Sequence, residues 1–335
     1  MILVTGGTGL VGAHLLLQLL KTEDAVKAIH RPSSNLEQVK KVFSYYVDNA
    51  DELFAKINWV VADVTDIPSL EDAFINVTHV YHCAALISFD PNDYFKLRHV
   101  NTKGTANIVN ICLANNVQKL TYVSSIATLG KNEATPIVTE ETEWNDADVN
   151  VYALTKYAAE MEVWRGTQEG LDAVIVNPGV ILGPGYWDSG SGQFFSKIAN
   201  GLKYYPPSGS GFVGVADVAD MCIELMKSDL KNERYIAVAK NATFKEVLDK
   251  IAKEINKPKP TKALKIWQLN ILCKLDWLVH LFTRRGRKLS KMQVHGLKSQ
   301  DMYQNAKIKE AINFKFTDLD TVIKTTSSLL LQEQL

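Results

Sequence analysis

A tyrosine and a lysine four residues apart could carry out proton transfer in this chain. Tyr152 and Lys156 lie in Val151–Glu169, which is predicted to be helical, and an i, i+4 spacing places both side chains on one face. A free tyrosine has a pKa of about 10, and a nearby ammonium group lowers that pKa because it stabilises the phenolate. Tyr152 could therefore exchange a proton while Lys156 tunes it. The alternative is a tyrosine packed on a sheet beside a solvated lysine.

Two serines could hold a substrate oxygen beside this pair. Ser124 ends the predicted strand Lys119–Ser124, and Ser125 follows it. Ligands bind at the carboxyl ends of strands in open α/β sheets, so a hydroxyl there is well placed. Ser125 lies further beyond the strand and is the preferred candidate, although either serine could instead serve as a cap or turn former.

The elements that must position these side chains begin at the first residues. Ile2–Val4 is predicted to be a buried strand and Ala13–Leu20 a helix, with glycines at 6, 9 and 12 between them. In such a turn one glycine permits the bend, one lets the backbone approach a pyrophosphate, and one allows close helix–strand packing. The helix N-terminus also offers unpaired N–H groups to phosphates. This pattern predicts a dinucleotide site, and the alternative is an ordinary strand–helix turn.

Strands and helices alternate up to residue 178. Strands are predicted at Val26–His30, Trp59–Ala62, Val77–Cys83, Lys119–Ser124 and Ala173–Asn177, and helices at Asn35–Ile57, Ser69–Phe74, Asp93–Asn115 and Val151–Glu169. This rhythm predicts an α/β fold with a doubly wound parallel sheet, the Rossmann fold. We assign residues 1–178 to a dinucleotide-binding domain. Residues 179–335 are assigned mainly to a smaller substrate lobe, from which some segments return to the first domain.

The composition excludes several classes of protein. The 335 residues include 37 basic and 37 acidic ones, so net charge gives no argument for a nucleic-acid partner or an anionic membrane. The four cysteines form no C-x-x-C pair, which predicts a reducing compartment and no metal site. The first strand begins at residue 2 and no run of 18 uncharged apolar residues occurs, so we expect neither signal peptide nor spanning helix. The expected location is cytoplasmic, with a homodimer as an open possibility.

Together these features resemble the extended short-chain dehydrogenase/reductase family, which contains NAD(P)-dependent epimerases, dehydratases and reductases. The resemblance runs from Thr5 to about Thr325 and is loose after Asp217. The matching segments are the T-G-x-x-G-x-x-G loop at Thr5–Gly12, the D-[VL] step at Asp63-Val64, the H-x-A-A segment at His82–Ala85, the V-N-x-x-G-T segment at Val100–Thr105, and the P-G…G-P loop at Pro178–Gly185.

The resemblance implies the roles of particular residues. The catalytic set falls on Ser125, Tyr152 and Lys156, with Asn101 as a fourth, structural polar residue. The cofactor contacts, with two candidates added from the end of the second strand, are Thr5, Gly6, Thr8, Gly9, Leu10, Val11, Gly12, Arg31, Ser33, Asp63, Val64, Cys83, Ala84, Ala85, Ser124, Tyr152, Lys156, Asn177, Pro178, Gly179 and Val180.

Departures from the family pattern narrow the range of reactions that we expect. Ser125–Gly130 lacks the acidic pair of sugar-nucleotide dehydratases, and Leu129 stands where many sugar epimerases have tyrosine. The segment looks more like dihydroflavonol reductases, cinnamoyl-CoA reductases and 3β-hydroxysteroid dehydrogenases. We therefore expect a hydride transfer between nicotinamide and the carbonyl or alcohol of a mid-sized, fairly apolar small molecule. The alternatives are a nucleotide-sugar epimerase with tightly bound NAD, and a cofactor sensor, against which the intact Ser-Tyr-Lys set argues.

The end of the second strand discriminates between the two nicotinamide cofactors. An acidic residue there would accept bonds from the ribose 2′-OH of NAD, whereas His30-Arg31-Pro32-Ser33 contains none. Arg31 could grip a 2′-phosphate and Ser33 could add a hydroxyl donor. We therefore expect NADP as the cofactor, with NAD as the alternative. If Arg31 is only a solvated residue in a turn, the sequence does not distinguish NADP from NAD.

An apolar segment near the C-terminus, Ala263–Phe282, precedes the basic run Arg284–Lys288. An apolar helix with a basic flank could lie on a membrane surface. Lys265, Lys274 and Asp276 interrupt the segment, and we favour a lid over an apolar substrate pocket.

Overall fold

The computed structural model describes residues 1–131, 135–145, 149–265, 267, 271, 275, 276 and 301–333. The predicted lid or membrane-surface segment at 263–288 lies largely outside the described residues, so its two interpretations both stay predictions.

Seven parallel strands form the central sheet. In chain order they are β1 (Ile2–Thr5), β2 (Val26–His30), β3 (Ile57–Val61), β4 (His79–His82), β5 (Lys119–Val123), β7 (Ala173–Pro178) and β11 (Glu233–Ala237). Their spatial order is β11-β7-β5-β4-β1-β2-β3. The order reverses between β1 and β4, and a sheet of this kind binds ligands at the carboxyl ends of its strands beside such a reversal. The structure confirms the predicted doubly wound Rossmann fold.

Helices cover both faces of this sheet. Those of the first half are α1 (Leu10–Leu19), α2 (Leu36–Ser44), α3 (Ala50–Ala55), α4 (Ile67–Ala73), α5 (Tyr94–Leu97), α6 (Gly104–Ala114) and α7 (Val151–Gln168). Those that follow are α8 (Gly192–Ala199), α9 (Val215–Lys227), α10 (Phe244–Glu254), α11 (Ala306–Ile312) and α12 (Leu319–Glu333). Of these, α8, α10 and α12 pack with β8 (Val180–Leu182) and β10 (Gly209–Gly214) in a separate buried cluster. The central sheet has one buried cluster on each face. One includes Leu16, Phe43 and Met221 on the side of α1 and α9, and the other includes Ile108, Tyr122 and Val163 on the side of α6 and α7.

Two predicted helices differ in detail from those observed. The segment Asn35–Ile57 contains two helices and the start of β3, and the break between the helices carries Asp48 and Asn49, residue types that favour caps and turns. The segment Asp93–Asn115 is not one regular helix, because a π-helix spans Arg98–Lys103 between α5 and α6. π-Helical turns of this kind occur frequently at functional sites.

Three smaller sheets lie outside the central sheet in the described residues. β8 (Val180–Leu182), β10 (Gly209–Gly214) and β12 (Lys240–Thr243) form a three-stranded sheet. The other two are strand pairs: β9 (Tyr204–Tyr205) pairs with β13 (Lys262–Ala263), and β6 (Ile137–Val138) pairs with β14 (Met302–Tyr303). β11 follows β10 and α9 in the chain but belongs to the central sheet, where it pairs in parallel with β7. The domain boundary after residue 178 stays a prediction.

Within the part of the chain that the structure describes, no helix is both long enough and apolar enough to cross a membrane.

Candidate active site

The register of the central sheet brings several predicted site residues to one edge. Thr5 pairs with His82 across β1 and β4, and His82 pairs with Tyr122 across β4 and β5. β7 follows next in the sheet and ends at Pro178. Because all of these strands are parallel, their carboxyl ends meet at the same edge, with the glycine-rich turn after Thr5 at its centre.

The glycine-rich turn is possible only with glycines at two of its positions. Gly6 has a φ of +68°, and a Cβ on it would lie 2.6 Å from the Ala84 amide nitrogen. A Cβ on Gly12 would overlap the Gly6 carbonyl oxygen. The first glycine therefore permits the bend, and the last allows α1 to pack closely against the turn.

Gly9 plays a different part in the turn, because a Cβ there would touch only the Gly6 oxygen at 3.4 Å. Gly9 is also the N-cap of α1, and no side chain caps this helix. The first N–H groups of α1, from Leu10, Val11 and Gly12, have no intrahelical partner. An open backbone beside a helix N-terminus without a side-chain cap fits a pyrophosphate. The segment Thr5–Gly12, which includes Thr8, can therefore hold a dinucleotide.

The carboxyl ends of β2 and β3 carry the predicted adenosine contacts. Arg31 and Ser33 are exposed in the turn after β2, and this turn is closed by hydrogen bonds between Arg31 and Ser34. After β3, the Asp63 carboxylate accepts bonds from the amide and hydroxyl of Thr65 at 2.9 and 2.7 Å. Val64 is buried and its carbonyl accepts a bond from Asn107 at 3.0 Å. Arg31 and Ser33 thus remain accessible to a ligand.

Ser125 and Tyr152 meet beyond the end of β5. Ser125 caps a 3₁₀ turn, Ile126–Thr128, and its hydroxyl oxygen accepts a bond from the Ala127 amide at 3.1 Å. Tyr152 stands in the first turn of α7, where Asn150 is the N-cap. The Ser125 side chain lies beside the Tyr152 side chain and opposes the rise in the Tyr152 pKa that burial causes. Ser125 is thus a capping residue, as the alternative interpretation of the sequence predicted, and it is also a neighbour of Tyr152.

Lys156 lies one turn further along α7 and is fully buried. Its ammonium donates to the Tyr122 hydroxyl at 2.6 Å and to the Val123 carbonyl at 2.9 Å. Burial lowers the pKa of Lys156 to about 7. The expected lowering of the Tyr152 pKa does not occur in this structure. Burial raises the Tyr152 pKa to about 12, the nearby Ser125 side chain opposes this rise, and the Lys156 ammonium is directed to β5.

Asn101 lies in the π-helix and is buried. Its side-chain oxygen accepts a bond from the Leu86 amide at 2.7 Å, and its side-chain nitrogen donates to the Leu86 carbonyl at 3.0 Å. The same nitrogen donates to the Thr155 hydroxyl at 3.3 Å. Asn101 therefore ties the loop after β4 to the helix that carries Tyr152 and Lys156.

The segments after β4 and β7 flank the centre. The amides of Cys83 and Ala84 donate to the carbonyl and hydroxyl of Thr5, at 3.2 and 3.3 Å, which holds Cys83–Ala85 against the glycine-rich turn. Pro178 ends β7, and Gly179 connects it to β8, where Val180 pairs with Phe212. A Cβ on Gly179 would collide with Gly211, so the two sheets approach closely at this point.

A buried carboxylate that the sequence analysis missed organises the base of the site. One oxygen of Glu160 accepts bonds from Ser124 at 2.5 Å, Thr128 at 2.7 Å and Asn177 at 2.9 Å. The other oxygen pairs with Arg234 at 3.1 Å. The Ser124 hydroxyl thus points into the protein, while the Asn177 side-chain oxygen is buried and has no hydrogen-bond partner among the residues that the structure describes. The position of Glu160, four residues after Lys156 on one helix face, was the available signal.

A second missed contact joins the lobe to the glycine-rich turn. The Tyr186 hydroxyl donates to the Thr8 carbonyl at 2.8 Å, and the Gln38 amide donates to the Gly185 carbonyl. The P-G…G-P loop therefore lies over the region where the pyrophosphate would bind.

An aromatic side chain from the loop after β4 packs against Tyr152. The Phe89 ring meets the Tyr152 ring edge-on, with centroids 5.6 Å apart. Ile87 and Phe95 are nearby in the chain and are 60% and 77% exposed. An exposed apolar loop beside a candidate proton donor suits an apolar substrate.

The parallel sheet, the glycine-rich turn and the Ser125–Tyr152–Lys156 arrangement define a nicotinamide-dependent oxidoreductase of the short-chain type. The chain belongs to the NAD dependent epimerase/dehydratase family, whose model matches residues 2–237. It is therefore an NAD(P)-dependent enzyme of the extended short-chain dehydrogenase/reductase class, which confirms the resemblance seen in the sequence.

Individual proteins show the same relationship. The chain is 28% identical to sterol demethylase protein B of Methylococcus capsulatus over 269 residues, which cover 78% of this chain and 76% of that protein. It is 28% identical to cinnamoyl-CoA reductase 1 of Petunia hybrida over 273 residues, which cover 77% and 79% of the two chains. The structure of UDP-glucose 4-epimerase with UDP-glucose from Thermotoga maritima is similar with a TM-score of 0.79 at 17% identity. That match covers 100% of this chain and 99% of the other and reflects the shared fold.

Proposed function

We propose that this chain is an NADP-dependent reductase that transfers a hydride to the carbonyl group of a mid-sized, fairly apolar molecule. One observation carries the proposal. The Tyr152 side chain lies beside Ser125 at the carboxyl end of the sheet, and its ring meets the apolar ring of Phe89 edge-on. A proton donor, a second hydroxyl and an apolar surface are thereby brought together.

The side chains divide the work of carbonyl reduction. The nicotinamide, when bound, supplies the hydride. The Tyr152 hydroxyl gives its proton to the carbonyl oxygen, and the Ser125 hydroxyl donates a hydrogen bond to the same oxygen. Burial raises the Tyr152 pKa to about 12, so the phenol is protonated at neutral pH, and this is the form that reduction requires.

Lys156 and Asn101 support this pair. The Lys156 ammonium would bind the nicotinamide ribose, and its charge would stabilise the phenolate that remains after proton transfer. Asn101 fixes the Leu86 backbone and Thr155, and so keeps α7 and the loop after β4 at a constant separation. Pro178, Gly179 and Val180 would contact the nicotinamide from the β7 side.

The cofactor preference rests on the turn after β2. The segment His30–Ser33 at the end of β2 contains no carboxylate. The exposed Arg31 and Ser33 offer five guanidinium N–H donors and a hydroxyl to a 2′-phosphate. We therefore propose NADP in preference to NAD.

The substrate preference rests on apolar surface and on the relatives. Phe89 packs against Tyr152, and the same segment of the chain exposes the apolar side chains of Ile87 and Phe95, which offer no charge to a nucleotide diphosphate. Cinnamoyl-CoA reductase and sterol demethylase protein B, by their names, relate to apolar skeletons. The lobe after residue 179 would supply the rest of the pocket. The proposal includes a cytoplasmic location, since the cysteines of the sequence form no C-x-x-C pair.

A substrate panel tests the proposal. Purified protein is mixed with NADPH or NADH and with aldehydes, aromatic ketones, sterols and UDP-sugars, and loss of the reduced-nicotinamide absorbance is followed. We expect turnover of an apolar carbonyl with NADPH. Tightly bound NAD in the purified protein, together with interconversion of a UDP-sugar and no net nicotinamide consumption, would instead assign the epimerase function.

A further inference from the structure

Three polar side chains lie side by side on one face of the central sheet. Thr5, His82 and Tyr122 occupy paired positions on β1, β4 and β5, and paired residues of neighbouring strands project to the same face. Thr105 of α6 and Lys156 of α7 cover this row. All five residues are at most 1% exposed, so each polar atom needs a partner within the protein.

These five side chains form one contiguous polar row. The Thr5 hydroxyl lies 2.6 Å from Nδ1 of His82, and Nε2 of His82 lies 3.0 Å from the Thr105 hydroxyl. The Thr105 hydroxyl lies beside the Tyr122 phenol and opposes the rise in the Tyr122 pKa that burial causes, and this phenol lies 2.6 Å from the Lys156 ammonium. The His82 and Tyr122 rings are also stacked, with centroids 5.4 Å apart.

The Lys156 ammonium and the neutral His82 ring set the direction of these interactions. The ammonium can only donate, so the Tyr122 oxygen accepts from it and the Tyr122 proton is directed toward Thr105. Burial lowers the His82 pKa to about 3, so the ring is neutral and carries one proton. Thr105 then donates to Nε2 of His82, and Nδ1 of His82 donates to Thr5.

Lys156 has titratable or charged neighbours on each element around it. Tyr152 and Glu160 lie one turn away on its own helix, and Tyr122, His82 and Cys83 face it from β5 and the end of β4. Glu160 and Cys83 favour the charged lysine, whereas burial disfavours it. The Tyr122 oxygen and the Val123 carbonyl are the two acceptors that its ammonium contacts directly.

We propose that Tyr122 is a positioning residue, which holds the Lys156 ammonium at the end of β5 and is itself kept in the accepting orientation by Thr105, His82 and Thr5. The use of this ammonium in catalysis rests on the proposed function. The polar row does not, because it exists in the cofactor-free protein. The row also connects Lys156 to Thr5, the residue directly before the glycine-rich turn.

Loss of the Tyr122 hydroxyl should make the charged form of Lys156 less stable. Tyr122→Phe removes one of the two acceptors that the ammonium contacts, and the Val123 carbonyl remains. Tyr122→Phe should therefore lower the Lys156 titration midpoint by about one pH unit, which corresponds to about 1.4 kcal/mol. Thr105→Val should lower it by less, because Tyr122 keeps its oxygen but loses the partner that orients it.

The test is an NMR titration of Lys156 in cofactor-free protein that carries ¹³C-labelled lysine side chains. The resonance is assigned by its absence in Lys156→Met. The variants are Tyr122→Phe, Thr105→Val and Thr105→Ser, of which the last retains the hydroxyl and should restore the wild-type midpoint. Tyr81→Phe is the matched control, since Tyr81 is equally buried but belongs to the core cluster on the opposite face of the sheet.

We expect lower midpoints in Tyr122→Phe and Thr105→Val, and wild-type midpoints in Thr105→Ser and Tyr81→Phe. Equal midpoints in wild type and Tyr122→Phe would overturn the proposal. If Tyr122→Phe does not fold, Thr105→Val against Thr105→Ser decides in the same way. A failed substrate panel would leave this result unaffected, and an unchanged midpoint would leave the reductase proposal intact.

Discussion

The glycine-rich turn and the Ser125–Tyr152–Lys156 centre lie at the same edge of the sheet but are constructed differently. The turn would bind a cofactor through its backbone, and its shape depends on Gly6 and Gly12, which lie within one segment of seven residues. The centre would act through side chains, and partners from distant parts of the chain hold it, such as Tyr122 for Lys156 and Glu160 for the Ser125 turn. A backbone site is therefore local in sequence, whereas a side-chain site depends on the whole fold.

The largest expected effect is at the centre. Tyr152→Phe removes the proton donor but keeps the ring that packs against Phe89, so kcat should fall about 10²- to 10⁴-fold while the fold and cofactor affinity stay nearly unchanged. Steady-state kinetics with the substrate found in the panel measures this. Near wild-type kcat in a folded Tyr152→Phe protein would mean that the proton comes from another group.

A glycine pair separates shape from binding within the turn. Gly12→Ala places a methyl group against the Gly6 carbonyl and should cost about 3 kcal/mol of unfolding free energy. Gly9→Ala meets only an ordinary contact and should keep stability but lose cofactor affinity, because its methyl group occupies the open side of the turn. Urea unfolding and NADPH titration distinguish the two. Equal stability of both variants would contradict the geometry described for Gly12.

A second pair tests the support of the centre. Glu160→Gln loses a charge that accepts three hydrogen bonds and pairs with Arg234, and should reduce the free energy of unfolding by about 1–3 kcal/mol. Glu162→Gln on the same helix disrupts only an exposed pair with Arg165 and should cost less than about 0.5 kcal/mol. Similar losses in urea unfolding would show that Glu160 has no special role.

A charge reversal in the turn after β2 tests the cofactor assignment. In Arg31→Asp the carboxylate would repel a 2′-phosphate and accept from a free 2′-OH, so the NADP-to-NAD affinity ratio should fall at least about tenfold, or 1.4 kcal/mol. Lys56→Asp, an exposed charge change directly before β3 at the opposite edge of the sheet, is the control. An unchanged ratio in Arg31→Asp would place the adenosine phosphate elsewhere.

The smallest expected effect concerns pH and the helix after the glycine-rich turn. His14 on α1 is buried between the Leu10 carbonyl and the Tyr46 hydroxyl, and burial lowers its pKa from 6.5 to about 4. Below pH 6.5 the unfolded chain therefore binds a proton that the folded chain does not. Stability should decrease by about 1 kcal/mol between pH 6.5 and 5.5.

His14→Gln should remove the decrease of about 1 kcal/mol in the free energy of unfolding between pH 6.5 and 5.5. The control His99→Gln changes an exposed histidine and should retain this decrease. Urea unfolding at the two pH values measures the difference, and parallel losses in both variants would exclude His14 as its source.

The fold could be predicted from the sequence because it depends on local patterns, and the candidate site follows from the same patterns. β2 begins and ends as predicted, and Tyr152 and Lys156 lie on one helix as their spacing indicated. The π-helix around Asn101 could not be predicted from spacing, because it accompanies side-chain bonds to Leu86, which is 15 residues away. The strand Glu233–Ala237 was missed because its place in the sheet is set by β7 and not by its own pattern.

The partners of the centre were missed for the same reason. In the sequence, Tyr122 is one more aromatic residue in a buried strand. Its polar role is seen only in the structure, where it pairs with His82 across β4 and β5 and its hydroxyl accepts a bond from Lys156. Arg234 reaches Glu160 from 74 residues away. Such pairs have no signature in a single sequence, since the fold alone brings them together.

The central claim, that this chain reduces the carbonyl group of a separate substrate, is tested most directly by isotope transfer. The protein is incubated with NADPH deuterated at the transferable C4 position and with the carbonyl compound identified in the panel, and the product is analysed by mass spectrometry. The account predicts an alcohol that carries one deuterium for each NADPH consumed in wild type, and far slower formation in Tyr152→Phe. An unlabelled product, or a substrate that is altered without net NADPH consumption, would contradict it.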